Sequence, residues 1–147
     1  MATRRVLSRE DNNLTSSIIT TRKVQYKDID LSFTAKPNGE IYTKRDAAAV
    51  KQAVKNLILT NHFEKPFLPF FGGNIIDLLF DLADEDIEED VEDRIIQAIN
   101  IYEPRAAVRT VNVKSDPDRN NLNVYIEFQV INTTEVVTLT TTLSRLR

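Results

Sequence analysis

The chain has 147 residues, 41% of them hydrophobic, with a formal net charge of −3, one histidine and no cysteine. That is enough chain for one domain with a proper core, and it leaves no material for a disulfide framework, a thiolate metal site or a cysteine nucleophile. No apolar run approaches the length of a membrane span, and no apolar segment follows Arg4 and Arg5, so a soluble protein not exported by that route is expected.

The charge is unevenly placed. The first residues carry Arg4, Arg5, Arg9, Arg22 and Lys23 against Glu10 and Asp11, whereas Asp77 to Asp93 hold ten acids and no base. Residues 1–25 read as an extended basic arm, loosely held when alone, and 26–147 as one domain. The folded part is acidic and lacks an aromatic-plus-basic platform, so nucleic acid is not an expected partner.

Tyr26 to Leu31 enters the domain, and Lys36-Pro-Asn-Gly39 has turn composition. A first helix is predicted from about Arg45 to Leu59, capped by Thr43 or Asp46. Ala47, Val50, Val54, Leu57, Ile58 and Asn61 lie on its inner face, with Lys51, Lys55 and Asn56 opposite. Asn61 to Gly73 is a loop with two prolines, two glycines and four phenylalanines, which must fold down over apolar surface or await a partner. Phe67, Phe70 and Phe71 are its candidate partner-binding residues. His62 has neither a cysteine nor a second histidine near it, so a structural role is expected and no metal.

Asn74-Ile-Ile-Asp77 has the residue types of a reciprocal cap and predicts a short buried helix through Phe80, ending near Leu82. Asp86-Ile-Glu-Glu89 repeats the device. The helix it opens carries the stripe Ile87, Val91, Ile95, Ala98, Ile99 and Tyr102, and its acidic run reads as a solvated face.

That helix runs into Glu103-Pro104-Arg105. Pro104 lacks an N–H and disfavours the α conformation before it, so the helix stops near Tyr102. Glu103 then lies against the negative end of the helix dipole, and Arg105, two residues on, is the simplest compensating cation. The two can pair with each other or be presented together to another molecule.

Beyond Arg105 the hydrophobic period changes to two. Val111 and Val113 mark one strand, and Ser115 to Asn121 a turn-rich connection. Leu122, Val124, Ile126, Phe128 and Val130 mark a second strand, and Val137, Leu139, Thr141 and Leu143 a third. The predicted fold class is therefore α+β, with about three helices followed by a three-stranded antiparallel β-meander and an extended N-terminal arm. No later strand covers the third, so Val137, Thr138, Leu139 and Thr140 form an edge to which another chain could add a strand.

Lys65 to Asp81, the helix after it, and Tyr102-Glu-Pro-Arg105 with its following strands resemble the contractile-tail baseplate family. That family is variously called gene-twenty-five-like, baseplate wedge or sheath-initiator protein, and its secretion-system counterpart is TssE. The similarity spans about residues 42–143. It implies a structural protein of the tail baseplate of a virion, assembled in the host cytoplasm, with no catalytic residue and no cofactor. Its implied partners are other wedge proteins, through Glu103, Pro104 and Arg105, and sheath subunits, through the C-terminal sheet. Tube or hub proteins are candidates for the arm. The family has also carried a lysozyme label, and a peptidoglycan-degrading enzyme is the alternative. Glycoside hydrolysis needs two carboxyl groups across a cleft, one of them protonated. Glu103 is the one acid suited to donate a proton, and a neighbouring guanidinium favours the wrong, ionised state.

Overall fold

The computed structural model describes residues 25–79, 86–116, 118–131, 133 and 135–144. Except for Gln25, the expected arm lies outside the described residues, as do Phe80 and the expected helix end near Leu82.

Two short strands, β1 (Lys27–Ile29) and β2 (Thr43–Arg45), pair antiparallel in register Lys27↔Arg45 to Ile29↔Thr43. The turn between them falls on Lys36–Gly39. Gly39 adopts φ +83°, and its amide donates to the Lys36 carbonyl at 2.9 Å. This small sheet has no hydrophobic alternation, which is why periodicity did not reveal it.

Three helices follow among the described residues: α1 (Asp46–Leu59), α2 (Ile75–Leu78) and α3 (Ile87–Tyr102). None of the three expected caps forms, because each candidate side chain is engaged otherwise or leaves the helix start alone. Thr43 belongs to β2. Asp46 stands at φ +46°, and its carboxylate accepts the Tyr26 amide at 3.2 Å while its own amide donates to the Tyr26 carbonyl at 2.8 Å, so it pins the entry of β1. Asn74 is left-handed, at φ +49°. Its oxygen accepts the His62 amide at 3.2 Å and its amide group donates to Asp77 Oδ2 at 2.6 Å. Asp86 makes no side-chain cap bond, and only its carbonyl opens α3, accepting from the Asp90 amide at 3.1 Å. Asn61, assigned to the inner face of α1, lies beyond the helix end at Thr60.

The main sheet has order β3-β4-β5, all antiparallel, with β3 (Ala106–Asp116), β4 (Asn121–Val130) and β5 (Val136–Ser144). The first strand begins directly after Arg105, and β3 and β4 both run further into the connection than its turn composition suggested. Asn120 takes the left-handed φ of +52° there. The alternating residues Leu122, Val124, Ile126, Phe128 and Val130 are all buried, facing α1 and α3. Val50, Val54 and Ile58 from α1, and Val91, Ile95 and Ile99 from α3, fill the facing layer. The other sheet face is polar, with Asn112, Lys114, Asn123, Thr138, Thr140 and Thr142 exposed. The helical stripe and the strand alternation thus specify the same core, and they fix which way the sheet faces.

Candidate functional site

The joint between α3 and β3 is built as the proline requires. The Glu103 amide still donates to the Ile99 carbonyl at 2.8 Å, and the Glu103 carbonyl accepts the Ala106 amide at 3.0 Å, so the chain turns at once from helix to strand. Glu103 is only 7% exposed. Its carboxylate, at the negative end of the helix, takes two parallel hydrogen bonds from Arg105: Nε to Oε1 at 2.5 Å and Nη2 to Oε2 at 2.7 Å. Such a fork is the strong geometry for a guanidinium and a carboxylate. Those hydrogen bonds to Glu103, opposed by partial burial, raise the Arg105 pKa above its ordinary value. Arg105 also lies over the Tyr26 ring, 5.4 Å from its centroid, and its Nη1 is 3.8 Å from Asp28 Oδ2. Pro104 is exposed. Beside the pair runs an open groove of about 340 Å³, lined by Asp28, Ile29, Leu31, Phe71, Tyr102 and Glu103 among others.

The phenylalanine loop divides into anchored and free side chains. Phe71 packs on Tyr102 with ring centroids 5.0 Å apart, and the Lys65 ammonium lies 3.8 Å from the Phe71 centroid. The Tyr102 hydroxyl donates to the Phe70 carbonyl at 2.7 Å, tying the loop to the end of α3. The return of the loop is held by Gly72 and Gly73. The Gly73 amide donates to the Leu57 carbonyl at 3.1 Å, and Gly72, at φ +115°, passes so close to Thr60 that a Cβ would collide with its carbonyl. Phe67 is 100% exposed, Phe63 76% and Phe70 65%. His62 stands edge-on to Phe70 at 6.0 Å, a packing role. Beneath Phe70 a second open groove of about 450 Å³ runs past Arg94, Gln97 and Ile101.

The two edges of the main sheet differ. The Val130 amide reaches the Glu135 carbonyl (3.3 Å) and the Ile131 amide the Arg105 carbonyl (2.8 Å), so even-numbered residues of β4 bond toward β5 and odd-numbered ones toward β3. The regular register Phe128↔Val137 to Leu122↔Leu143 then turns the backbone groups of Val136, Thr138, Thr140, Thr142 and Ser144 outward from β5. Among the described residues no side-chain acceptor meets an outward amide of β5. Val136 to Ser144 contains neither proline nor charge. On β3 the outward amides are those of Ala106, Val108, Val111, Val113 and Ser115. The Val113 amide donates to Glu92 Oε1 at 2.8 Å and the Ser115 amide to Glu88 Oε1 at 2.7 Å. Glu88 and Glu92, assigned from sequence to a solvated face, are half-buried against this strand.

The structure therefore brings the loop anchor Phe71 and Glu103 to one groove, with Arg105 held beside it by its bonds to Glu103. The β5 edge carrying Val137, Thr138, Leu139 and Thr140 lies two strands away from β3. Sequence reasoning missed Tyr26 and Asp28 as neighbours of Arg105, and Glu88 and Glu92 as partners of β3. The spacing of Tyr26 and Asp28 on one side of a strand was available, and so was the i, i+4 spacing of the two glutamates beside the stripe residues Ile87 and Val91. Among the described residues no group of three His, Asp or Glu side chains is placed to hold a metal ion, and no helix is long and apolar enough to cross a membrane.

Residues 44–135 match the family described as baseplate wedge protein gp25, a span that takes in α1, the phenylalanine loop, the joint and β4, and ends just before β5. The chain is 32% identical over 106 residues to the baseplate wedge protein gp25 of Enterobacteria phage T4, covering 72% of this chain and 80% of that protein. Its fold resembles a solved structure of a putative tail lysozyme from Geobacter sulfurreducens, with TM-score 0.59 and 20% identity over 67% of this chain and 89% of that one. It also resembles a chain in the baseplate of the anti-feeding prophage, with TM-score 0.58 and 18% identity over 80% of this chain and 84% of that one. These two likenesses are of fold. With a family match across most of its folded part and a relative of this identity, the chain belongs to the baseplate wedge protein gp25 family.

Proposed function

We propose that this protein is a structural component of the wedge in a contractile-tail baseplate, and that its β5 edge receives strands from sheath subunits and so seeds the first sheath ring. It assembles in the host cytoplasm and resides in the virion tail. The observation that carries the reading is the edge itself. Outward amides alternate along nine uncharged residues, and such an edge is an aggregation hazard unless a partner normally covers it. Strand addition draws affinity from main-chain hydrogen bonds and register from alternate side chains, which suits a template for an ordered polymer. Wedge neighbours meet the protein at the joint, where Pro104 and the outer side of Arg105 are accessible, and at Phe67 and Phe70 with Phe71 beneath them.

The lysozyme alternative gains no support from the joint. Both carboxylate oxygens of Glu103 accept hydrogen bonds from one guanidinium and the residue is buried, so neither oxygen is presented to a substrate.

A proline at Thr138 or Thr140 tests the template. Both amides point outward, where proline removes no hydrogen bond of the sheet, so the fold survives. Baseplates carrying either variant should be complete but bear short or absent sheaths in electron micrographs. Sheaths of normal length on them would overturn the proposal.

A further inference from the structure

A three-stranded sheet has two edges, and among the described residues only one of them is left open. A helix rises about 6 Å over four residues and a strand about 6.6 Å over two, so the i, i+4 pair Glu88 and Glu92 matches the spacing of Ser115 and Val113. The helix runs opposite to the strand, placing Glu88 on Ser115 and Glu92 on Val113. The next position of that row is Ile96, which brings no acceptor, and there the strand nears its bulge between Val108 and Thr110. The Ala106 amide is taken by the Glu103 carbonyl. Three of the five outward amides of β3 are thus satisfied from within the chain, two of them by carboxylates.

We propose that Glu88 and Glu92 make the sheet one-ended. They occupy the positions a strand would need to pair with β3, and so confine strand addition to β5. The occupant they exclude is the β5 edge of a second copy of this chain. A β5-to-β3 contact is head-to-tail, so without the glutamates each copy could recruit the next into a ring or a filament. An arriving strand would have to displace two charge-assisted hydrogen bonds and leave both carboxylates facing its own carbonyls. The inference deepens the strand-addition reading of β5 and rests on it only for its consequence in assembly.

The test uses the full chain. In Glu88→Ala/Glu92→Ala, hydrogen exchange at the Val113 and Ser115 amides should quicken at least tenfold, and sedimentation velocity should show concentration-dependent assemblies, whereas the unaltered protein should sediment as a monomer. Glu88→Gln/Glu92→Gln, which keeps an acceptor oxygen, should remain monomeric. Adding Thr138→Pro to the double alanine variant should abolish the assemblies, since the contact needs both edges. A folded double alanine variant that stays monomeric, or assemblies that survive Thr138→Pro, would overturn the proposal. If the double variant does not fold, Glu88→Ala alone decides it: unchanged exchange at Ser115 overturns the proposal and faster exchange supports it. Sheath plays no part in these measurements, so their failure leaves templating at β5 standing.

Discussion

Arg105 holds the carboxylate of Glu103 in a two-bond fork at the closed end of α3, and the glutamate it neutralises is among the most buried side chains of the joint. Removing the arginine leaves that carboxylate unpaired against a helix C-terminus. Arg105→Ala should therefore destabilise the isolated protein by about 1.5–3 kcal/mol, more than an exposed surface pair would. Arg105→Lys keeps the charge but not the fork and should fall between the two. Urea unfolding of the three proteins measures this, and a loss under about 0.5 kcal/mol for the alanine variant would show that the pair does not stabilise the monomer.

Tyr102 joins the loop to the joint through its hydroxyl. Tyr102→Phe deletes the bond to the Phe70 carbonyl and should cost about 0.5–1.5 kcal/mol. Limited proteolysis within residues 61–73 should become faster while α1 and the sheet keep their protection.

The phenylalanines should separate by experiment. Phe67→Ser and Phe70→Ser remove exposed rings, and monomer stability should change by less than about 0.5 kcal/mol for Phe67. Phe71→Ser removes a ring packed on Tyr102 and should cost about 1–3 kcal/mol, less than a fully buried phenylalanine. Incorporation into baseplates should fall for Phe67→Ser and Phe70→Ser despite their normal folding. Full incorporation of both would remove them from the wedge contact.

Two glycines with positive φ give a paired prediction. At Gly39 nothing lies within 4 Å of an added Cβ, so Gly39→Ala carries only the left-handed strain of about 1–2 kcal/mol. At Gly72 the same strain is joined by collision with the Thr60 carbonyl, and Gly72→Ala should cost clearly more. Equal thermal shifts for the two variants would show that the loop yields without penalty.

How far the sequence led depends on the range of each interaction. Leu122 to Val130 alternate without a break, so the strand, its buried face and the α+β class were legible, as were the helix stop at Pro104 and the Glu103–Arg105 pair two residues apart. The caps failed because residue type reports capacity, not use: Asp46 and Asn74 have capping side chains, but tertiary contacts to Tyr26 and His62 claim them. The closed edge escaped for a similar reason. Glu88 and Ser115 are 27 residues apart, and a glutamate beside an apolar stripe looks solvated until the strand it meets is known.

Between the last residue of α3 and the first of β3 stand only Glu103, Pro104 and Arg105, and the Arg105 carbonyl also holds the Ile131 amide at the far end of β4. There is no slack in this splice. Three residues and three backbone hydrogen bonds span it, so the direction in which the helix ends also sets the direction in which the sheet begins, and an inserted residue here would re-aim every strand that follows.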